Sequence, residues 1–385
     1  MQLWQSAGVR RGITTRRAVA AMLALTCFVA PAAVLAQNAY ITSQSDNTVA
    51  VIDTATNTVI GSPIPVGSLP AGVAGTPDGS KVYVTDEGNS TVSVISTANN
   101  TVIASISGVG EPVGVAVTPD GSKVYVANYG GGTVSVISAA TNTVIASIPA
   151  FNFPVGVAIT PDGSKVYITN QVGKIVSLVS TASNTVTGAP IPVGSNPNGL
   201  AVTSDGSKVY VANEGDNTVS VISAATNTVI TTIPVGVFPR GVAVTPDGSK
   251  VYVTNTNSQY VSVISTASDT VITTIPVGIY PYGVAVTPDG SKVYVTNTNS
   301  NNVSVISTAS DTVITTLPGF NVPISFGLFI QPARKFAGTP GQASCHGRSV
   351  AALGQQFDGL NDAAIALGYR SVSELQAAIT TFCEG

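Results

Sequence analysis

Residues 245–255 read TPDGSKVYVTN, and residues 287–297 repeat the same eleven letters. Near copies stand at 76–86, 118–128, 160–170 and 203–213. Marking the lysine of each copy gives Lys81, Lys123, Lys165, Lys208, Lys250 and Lys292, spaced 42, 42, 43, 42 and 42 residues apart. A fixed period of this size signals a repeat architecture, in which each unit buries its apolar face only against its neighbours.

One period holds four strand-like runs, for example residues 241–245 (GVAVT), 250–254 (KVYVT), 261–265 (VSVIS) and 270–275 (TVITTI). Each alternates or is β-branched, and Pro, Gly, Asn or Asp bounds it. Four short antiparallel strands per repeat of about 42 residues make the blade of a β-propeller. The small residues of Gly-Val-Ala-Val suit the crowded centre of the ring, which places that run innermost. The chain begins with strands two to four of one blade, starting at residues 39–43 (AYITS). It ends with strand one, residues 327–332 (GLFIQP). Six full repeats and this composite make seven blades, and the join leaves no open sheet edge. The expected fold is therefore all-β: a seven-bladed propeller of four-stranded blades over residues 37–332, closed by pairing of the terminal strands. Two extra residues between Pro323 and Gly327 make that join the least regular.

The residues at 252–255 and 294–297, Tyr-Val-Thr-Asn, recur in phase seven times, with 40–43 as a degenerate first copy. In this the chain resembles the YVTN-repeat β-propeller family over residues 39–332. The resemblance implies the propeller firmly and an exported or cell-surface setting, while a fold of this kind leaves the function open.

The repeated stretch itself reads as scaffold. Pro fits the first central position of a type I turn, Asp the second, and Gly the left-handed position that closes a hairpin with a bulge. The Lys three residues after each Asp implies alternating, self-neutralising charges along that rim. The mid-strand Tyr packs between blades. Asn at the strand end, as in Asn128, Asn170 and Asn213, caps the following turn through hydrogen bonds to backbone.

Residues 1–36 have another character. Arg10, Arg11, Arg16 and Arg17 precede an apolar run over 18–28, with small residues before a cut at Gln37, the pattern of an export signal. No later stretch reaches the roughly 18 to 20 apolar residues of a spanning helix. Without residues 1–36 the chain has 12 basic and 19 acidic residues, a net charge of −7, which argues against nucleic acid as a partner. The expected setting is the periplasm, the cell surface or the medium.

The ring contains no His and no Cys. Histidine triads, thiolate nucleophiles and His or Cys ligation of haem or zinc are therefore not options within it. No cofactor motif and no metal site is expected. The acids off the repeat pattern are Asp86, Glu87, Glu111, Glu214 and Asp216, and they supply the alternative, a metal-assisted hydrolase of lactonase type. A structural, self-associating envelope protein is a further alternative.

Comparison among the copies separates what a blade requires from what varies. The loop between strands two and three and the loop leading to the next blade both vary, and both emerge on one side. There the exposed aromatics Tyr129, Phe151, Phe153, Phe238, Tyr260, Tyr280, Tyr282 and Phe320 collect with Arg240. This mixture suits a protein or glycan of the cell envelope. The residue before each inner-strand Gly (Ala71, Val113, Val155, Asn198, Arg240, Tyr282) is expected to ring the mouth of the central channel, which singles out Arg240 and Tyr282. The reading is of a non-enzymatic binding scaffold.

The pattern stops at Ala333. Residues 333–343 read as a linker and 344–385 as a small helical module, in which Ser371 and Glu374 form a capping box. So short a module needs a staple, and Cys345 with Cys383 is the expected disulfide. His346 beside Cys345 is a weak metal signal.

Overall fold

The computed structural model describes residues 37–331, Leu360 and residues 371–384. Residues 37–331 form seven antiparallel sheets in a ring, each with its strands in chain order. In the first complete blade these are β4 (Pro70–Gly75), β5 (Lys81–Asp86), β6 (Thr91–Ser96) and β7 (Thr101–Ile106). Five further blades occupy residues 112–148, 154–192, 197–234, 239–276 and 281–318. The blade spanning 154–192 has an outer strand split at Gly188, into Thr185–Val186 and Ile191–Pro192.

The seventh blade joins the chain ends as expected. Its β1 (Asn38–Ser43), β2 (Thr48–Asp53) and β3 (Thr58–Pro65) form the sheet. The returning chain supplies the inner edge: Tyr40 N–H donates to Phe329 O at 2.9 Å, and Gln331 N–H to Asn38 O at 2.8 Å. The two extra residues sit here. Ser325, at φ 38, breaks regular pairing, and Phe326 instead bonds the neighbouring inner strand through Ala71 O and Val73 N.

The alternation along β5 explains how blades stack. Val82 and Val84 face the seventh blade, while Tyr83 faces the next blade among Val115, Val124 and Val126. All seven counterpart tyrosines are 0% exposed. Their hydroxyls reach across the junction, as Tyr83 does to Asn142 at 3.0 Å and Tyr252 to Asp311 at 2.7 Å. The motif lysine grips the same hairpin in five of the six copies, at Lys81, Lys123, Lys208, Lys250 and Lys292. Lys250 meets Thr308 O at 2.9 Å and Asp311 at 2.7 Å. The rim is thus organised differently from the expected row of local Asp and Lys pairs, because the lysine turns to the next blade's hairpin.

The PDG turn behaves as its chemistry dictates. Gly79 adopts φ 70 and donates to Thr76 O at 2.8 Å. In the copy at 160–165, the Thr160 hydroxyl, Ser164 N–H and Ser164 hydroxyl hold the pKa of Asp162 down to about 2. The carboxylate is a turn acceptor.

Two further columns of the repeat explain the crowded centre. A Cβ on Gly114 would lie 2.0 Å from Val155 O, and one on Gly199 2.2 Å from Arg240 O. Only glycine lets neighbouring inner strands approach this closely. The Thr of the YVT run stitches the same junction: Gly72 N–H donates to Thr85 Oγ1 at 2.7 Å, and Thr85 donates to Val113 O at 2.8 Å. Thr169, Thr254 and Thr296 repeat this relay. Ala127 and Ala212 occupy the same position and provide no hydroxyl.

Apart from the ring, helix α1 (Val372–Glu384) begins as the capping box predicts, with Glu374 N–H donating to Ser371 Oγ at 3.2 Å. Its Leu375 and Ile379 are buried, one turn apart. The expected Cys345–Cys383 disulfide, His346 and the linker lie outside the described residues. The same is true of the export signal. Among the described residues no helix is long and apolar enough to cross a membrane.

Candidate ligand-binding site

The two variable loops of every blade are tied together at the mouth. The residue before the inner-strand proline adopts a left-handed conformation in all seven junctions: Leu69, Glu111, Phe153, Asn196, Phe238, Tyr280 and Val322, with φ between 49 and 61. Each offers its carbonyl to one backbone N–H of the loop between strands two and three. The bonds run from Glu87 to Leu69, Tyr129 to Glu111, Gln171 to Phe153, Glu214 to Asn196, Thr256 to Phe238, Thr298 to Tyr280 and Gln44 to Val322, at 2.9–3.2 Å. A left-handed non-glycine residue costs on the order of 1 kcal/mol, so the junction needs these bonds to hold it.

This arrangement raises a second ring of side chains, the residues that donate those N–H groups. Sequence reasoning overlooked it as a set. It was visible as the column just after the strand-end Asn, where Gln44, Glu87, Tyr129, Gln171, Glu214, Thr256 and Thr298 vary while the columns before them barely do. Five of these (Gln44, Glu87, Tyr129, Gln171 and Thr298) line a cavity of about 430 Å³.

Its floor is the ring expected before the inner-strand glycines. Ala71, Val113, Val155, Asn198, Arg240 and Tyr282 all line the cavity. At the join with the two extra residues, Ile324 and Phe326 share the seventh place, Ile324 O accepting from Thr296 as Tyr282 O does from Thr254. Deeper along the inner strands the free space shrinks to about 30 Å³ among Gly156, Gly199, Gly241, Gly283 and Phe326. The cavity is therefore a funnel, half floored by small aliphatics and half by polar and aromatic groups.

The polar half is one connected cluster. Arg240 Nη2 lies 2.9 Å from Glu214 Oε1, and Asn198 Nδ2 donates to Glu214 Oε2 at 2.9 Å. The guanidinium stands 4.8 Å from the Tyr282 ring centroid and 5.6 Å from that of Tyr280. Burial works against the Arg240 charge, yet Tyr282, Glu214 and Tyr280 shift its pKa upward overall. Burial likewise raises the pKa of Tyr282, with Arg240 opposing. Two atoms of the cluster have no hydrogen-bond partner: Arg240 Nε and Asn198 Oδ1.

The remaining expected aromatics divide. Tyr280 and Tyr129 line the funnel, and Tyr129 donates to Gln171 Oε1 at 3.1 Å and packs on Phe153 at 5.0 Å. Phe153 is 41% exposed, and Phe238 is likewise exposed, so both remain available on the face. Phe151 is a correction: it is 8% exposed in the core between two blades, among Tyr125, Val134 and Ile148. It fills the place that Val235 and Val277 take in later repeats. Phe320 is buried for the same reason. Tyr260 starts a strand over Gly236 and does not line the funnel.

The off-pattern acids also separate. Glu87 lines the funnel; burial, and Glu111 beside it, raise its pKa. Asp216 accepts Ser195 N–H at 2.7 Å. Asp86 is no loop acid. It occupies the strand-end Asn position, 0% exposed, and accepts from Ser93 and Thr91 at 2.7 and 3.1 Å. Its counterparts reveal what that position does. Asn128 donates across its own hairpin to Thr133 and Ser135 at 2.9 and 2.8 Å, while Asn213 Oδ1 accepts Gly194 N–H at 3.1 Å. The caps are thus partly side chain to side chain. Among the described residues no three His, Cys, Asp or Glu groups converge as metal ligands.

Comparison with known proteins agrees with this architecture. The model of a YNCE-like beta-propeller family matches residues 195–316. A search of curated sequences finds no match. Among solved structures, the chain is similar to one of Kuenenia stuttgartiensis hydrazine synthase, at 27% identity and TM-score 0.65, over 71% of this chain and 92% of that one. It is similar to a functionally unknown protein from Desulfotomaculum acetoxidans at 22% identity and TM-score 0.68, over 77% and 99%. A putative 6-phosphogluconolactonase from Bacteroides uniformis matches at 16% identity and TM-score 0.65, over 75% and 98%. The last two show the shared fold alone. Together with the seven blades, these matches make the chain a β-propeller protein.

Proposed function

We propose that this protein is an exported propeller of the YVTN-repeat type that binds a ligand or partner at the funnel and catalyses no reaction. One observation carries the reading. In a ring of near-identical blades, a single sector gathers Arg240, Glu214, Asn198, Tyr280 and Tyr282 at the mouth. The blade pattern does not call for Asn198, Arg240 or Tyr282 in their column, since the equivalent places elsewhere hold Ala71, Val113 and Val155. Aromatic faces beside a fixed guanidinium, with Phe153 and Phe238 exposed nearby, offer apolar area and directed hydrogen bonds, the usual make-up of a recognition surface.

The alternative, a lactonase, draws on Glu87 and Glu111 and on the fold shared with a putative 6-phosphogluconolactonase. Capture of partners from an envelope fraction by the purified chain, compared with the Arg240→Ala/Tyr282→Ala variant, separates the two. The expected result is loss of the captured species in the variant. Unchanged capture, or lactone hydrolysis abolished by Glu87→Gln with Glu111→Gln, refutes the binding reading.

A further inference from the structure

The charge and hydrogen-bond state of the funnel point to the class of ligand, an inference that rests on reading the mouth as a binding site. Among the described residues Arg240 is the only cation lining the cavity, and Glu214 neutralises it at 2.9 Å. Glu87, on another part of the wall, has no ion-pair partner among the described residues, and the exposed Glu111 stands close enough to disfavour its charge. The lining therefore holds one guanidinium already neutralised by Glu214 and one carboxylate, Glu87, without an ion-pair partner among the described residues, so its surplus charge is negative and lies on the Glu87 side.

The second observation is independent of charge. Asn198 lines the cavity and is 3% exposed, and its Nδ2 is committed to Glu214. That commitment makes its Oδ1 an acceptor, and no donor reaches it. A buried acceptor left unmet costs about 1–3 kcal/mol, which a donor supplied by a ligand recovers. Excess carboxylate and an empty acceptor ask for the same thing, N–H groups with positive charge. The small floor residues Ala71, Val113 and Val155 leave room for an aliphatic stem above them, and Tyr129 and Tyr282 line the same space.

We infer that the funnel binds an alkyl ammonium or guanidinium group, carried either by a free amine or by a basic side chain of a polypeptide. Isothermal titration calorimetry of the full chain tests it with four probes: 1,5-diaminopentane, acetyl-Gly-Lys-Gly-amide, its norleucine isostere and its glutamate counterpart. At least one cationic probe is expected to bind, about tenfold tighter than the isostere, and to weaken as salt rises. Whichever cationic probe is tighter identifies the source. Glu87→Gln should erase the preference for charge without lowering the melting temperature, since burial and the neighbouring Glu111 already disfavour the Glu87 charge in the folded chain. Equal or tighter binding of the norleucine or glutamate peptide overturns the inference. If that binding is lost in Tyr282→Ala, the mouth remains the site and only its charge preference falls. Failure of both cationic probes to bind at millimolar concentration also overturns the inference, while partner capture through Arg240 and Tyr282 would still stand or fall by its own experiment.

Discussion

Replacing Asp86 by asparagine should stabilise the protein, and only at neutral pH. In six of the seven blades the strand-end position is polar and uncharged: Ser43, Asn128, Asn170, Asn213, Asn255 and Asn297. Asp86 puts a carboxyl in the same pocket, where Oδ2 accepts from Thr91 and Ser93 and Oδ1 has no partner. Burial is the dominant influence and raises its pKa from 3.8 to about 6, the hydrogen bonds from Ser93 and Thr91 only partly offsetting it. The raised value fixes the sign. Between pH 4 and 6 the folded chain holds a proton that the unfolded chain has released, so stability falls as pH rises through this window and levels off above it. A shift of roughly two units corresponds to about 3 kcal/mol of lost stability at pH 8. The amide introduced by Asp86→Asn would donate to Thr91 and Ser93 as Asn128 does to Thr133 and Ser135. Thermal melts at pH 4 and pH 8 read the difference. The variant should match wild type at pH 4 and melt roughly 6 °C higher at pH 8, taking about 2 °C per kcal/mol for a domain of this size. An offset equal at both pH values, or a variant less stable at pH 8, refutes the reasoning.

The Thr stitch and the Arg240 ion pair yield two more tests. Ala212→Thr should add the missing relay between Gly199 N–H and Arg240 O and raise stability by about 1 kcal/mol, while Thr254→Ala should lower it by a similar amount. Denaturant titration decides, and a destabilising Ala212→Thr would show that the relay has no room there. Arg240→Ala leaves Glu214 buried and unpaired and should cost about 3 kcal/mol, most of it recovered by adding Glu214→Gln. A cost below about 1 kcal/mol, or no recovery in the double variant, would mean that the pair is solvated and that the cluster is not preorganised.

The scaffold was legible in the sequence because its determinants are local. Pro77, Asp78 and Gly79 dictate a turn between adjacent strands, and alternation in residues 81–86 assigns Tyr83 to one sheet face and Val82 and Val84 to the other. The floor ring was legible as well, since the residue before each inner-strand glycine must reach the axis once the blade is known. Phe151 and Phe153 show where that reading stopped. They stand two residues apart in the same junction, and only the left-handed turn at Phe153 sends one ring into the core and leaves the other on the face.

The Asp86 pocket and the Arg240 cluster belong to the tertiary structure for the same reason. Glu214 comes from one blade's loop and Arg240 from the next blade's inner strand, 26 positions along the chain. Arg240 reads from its column as a channel-mouth residue, whereas Glu214 alone reads as ordinary loop charge. The repeat thus determined by itself that seven blades would form and which columns would face the channel. Which of those columns meet, and whether a carboxylate among them is buried, paired or left facing the funnel, depends on distances across blade junctions that only closure of the ring defines.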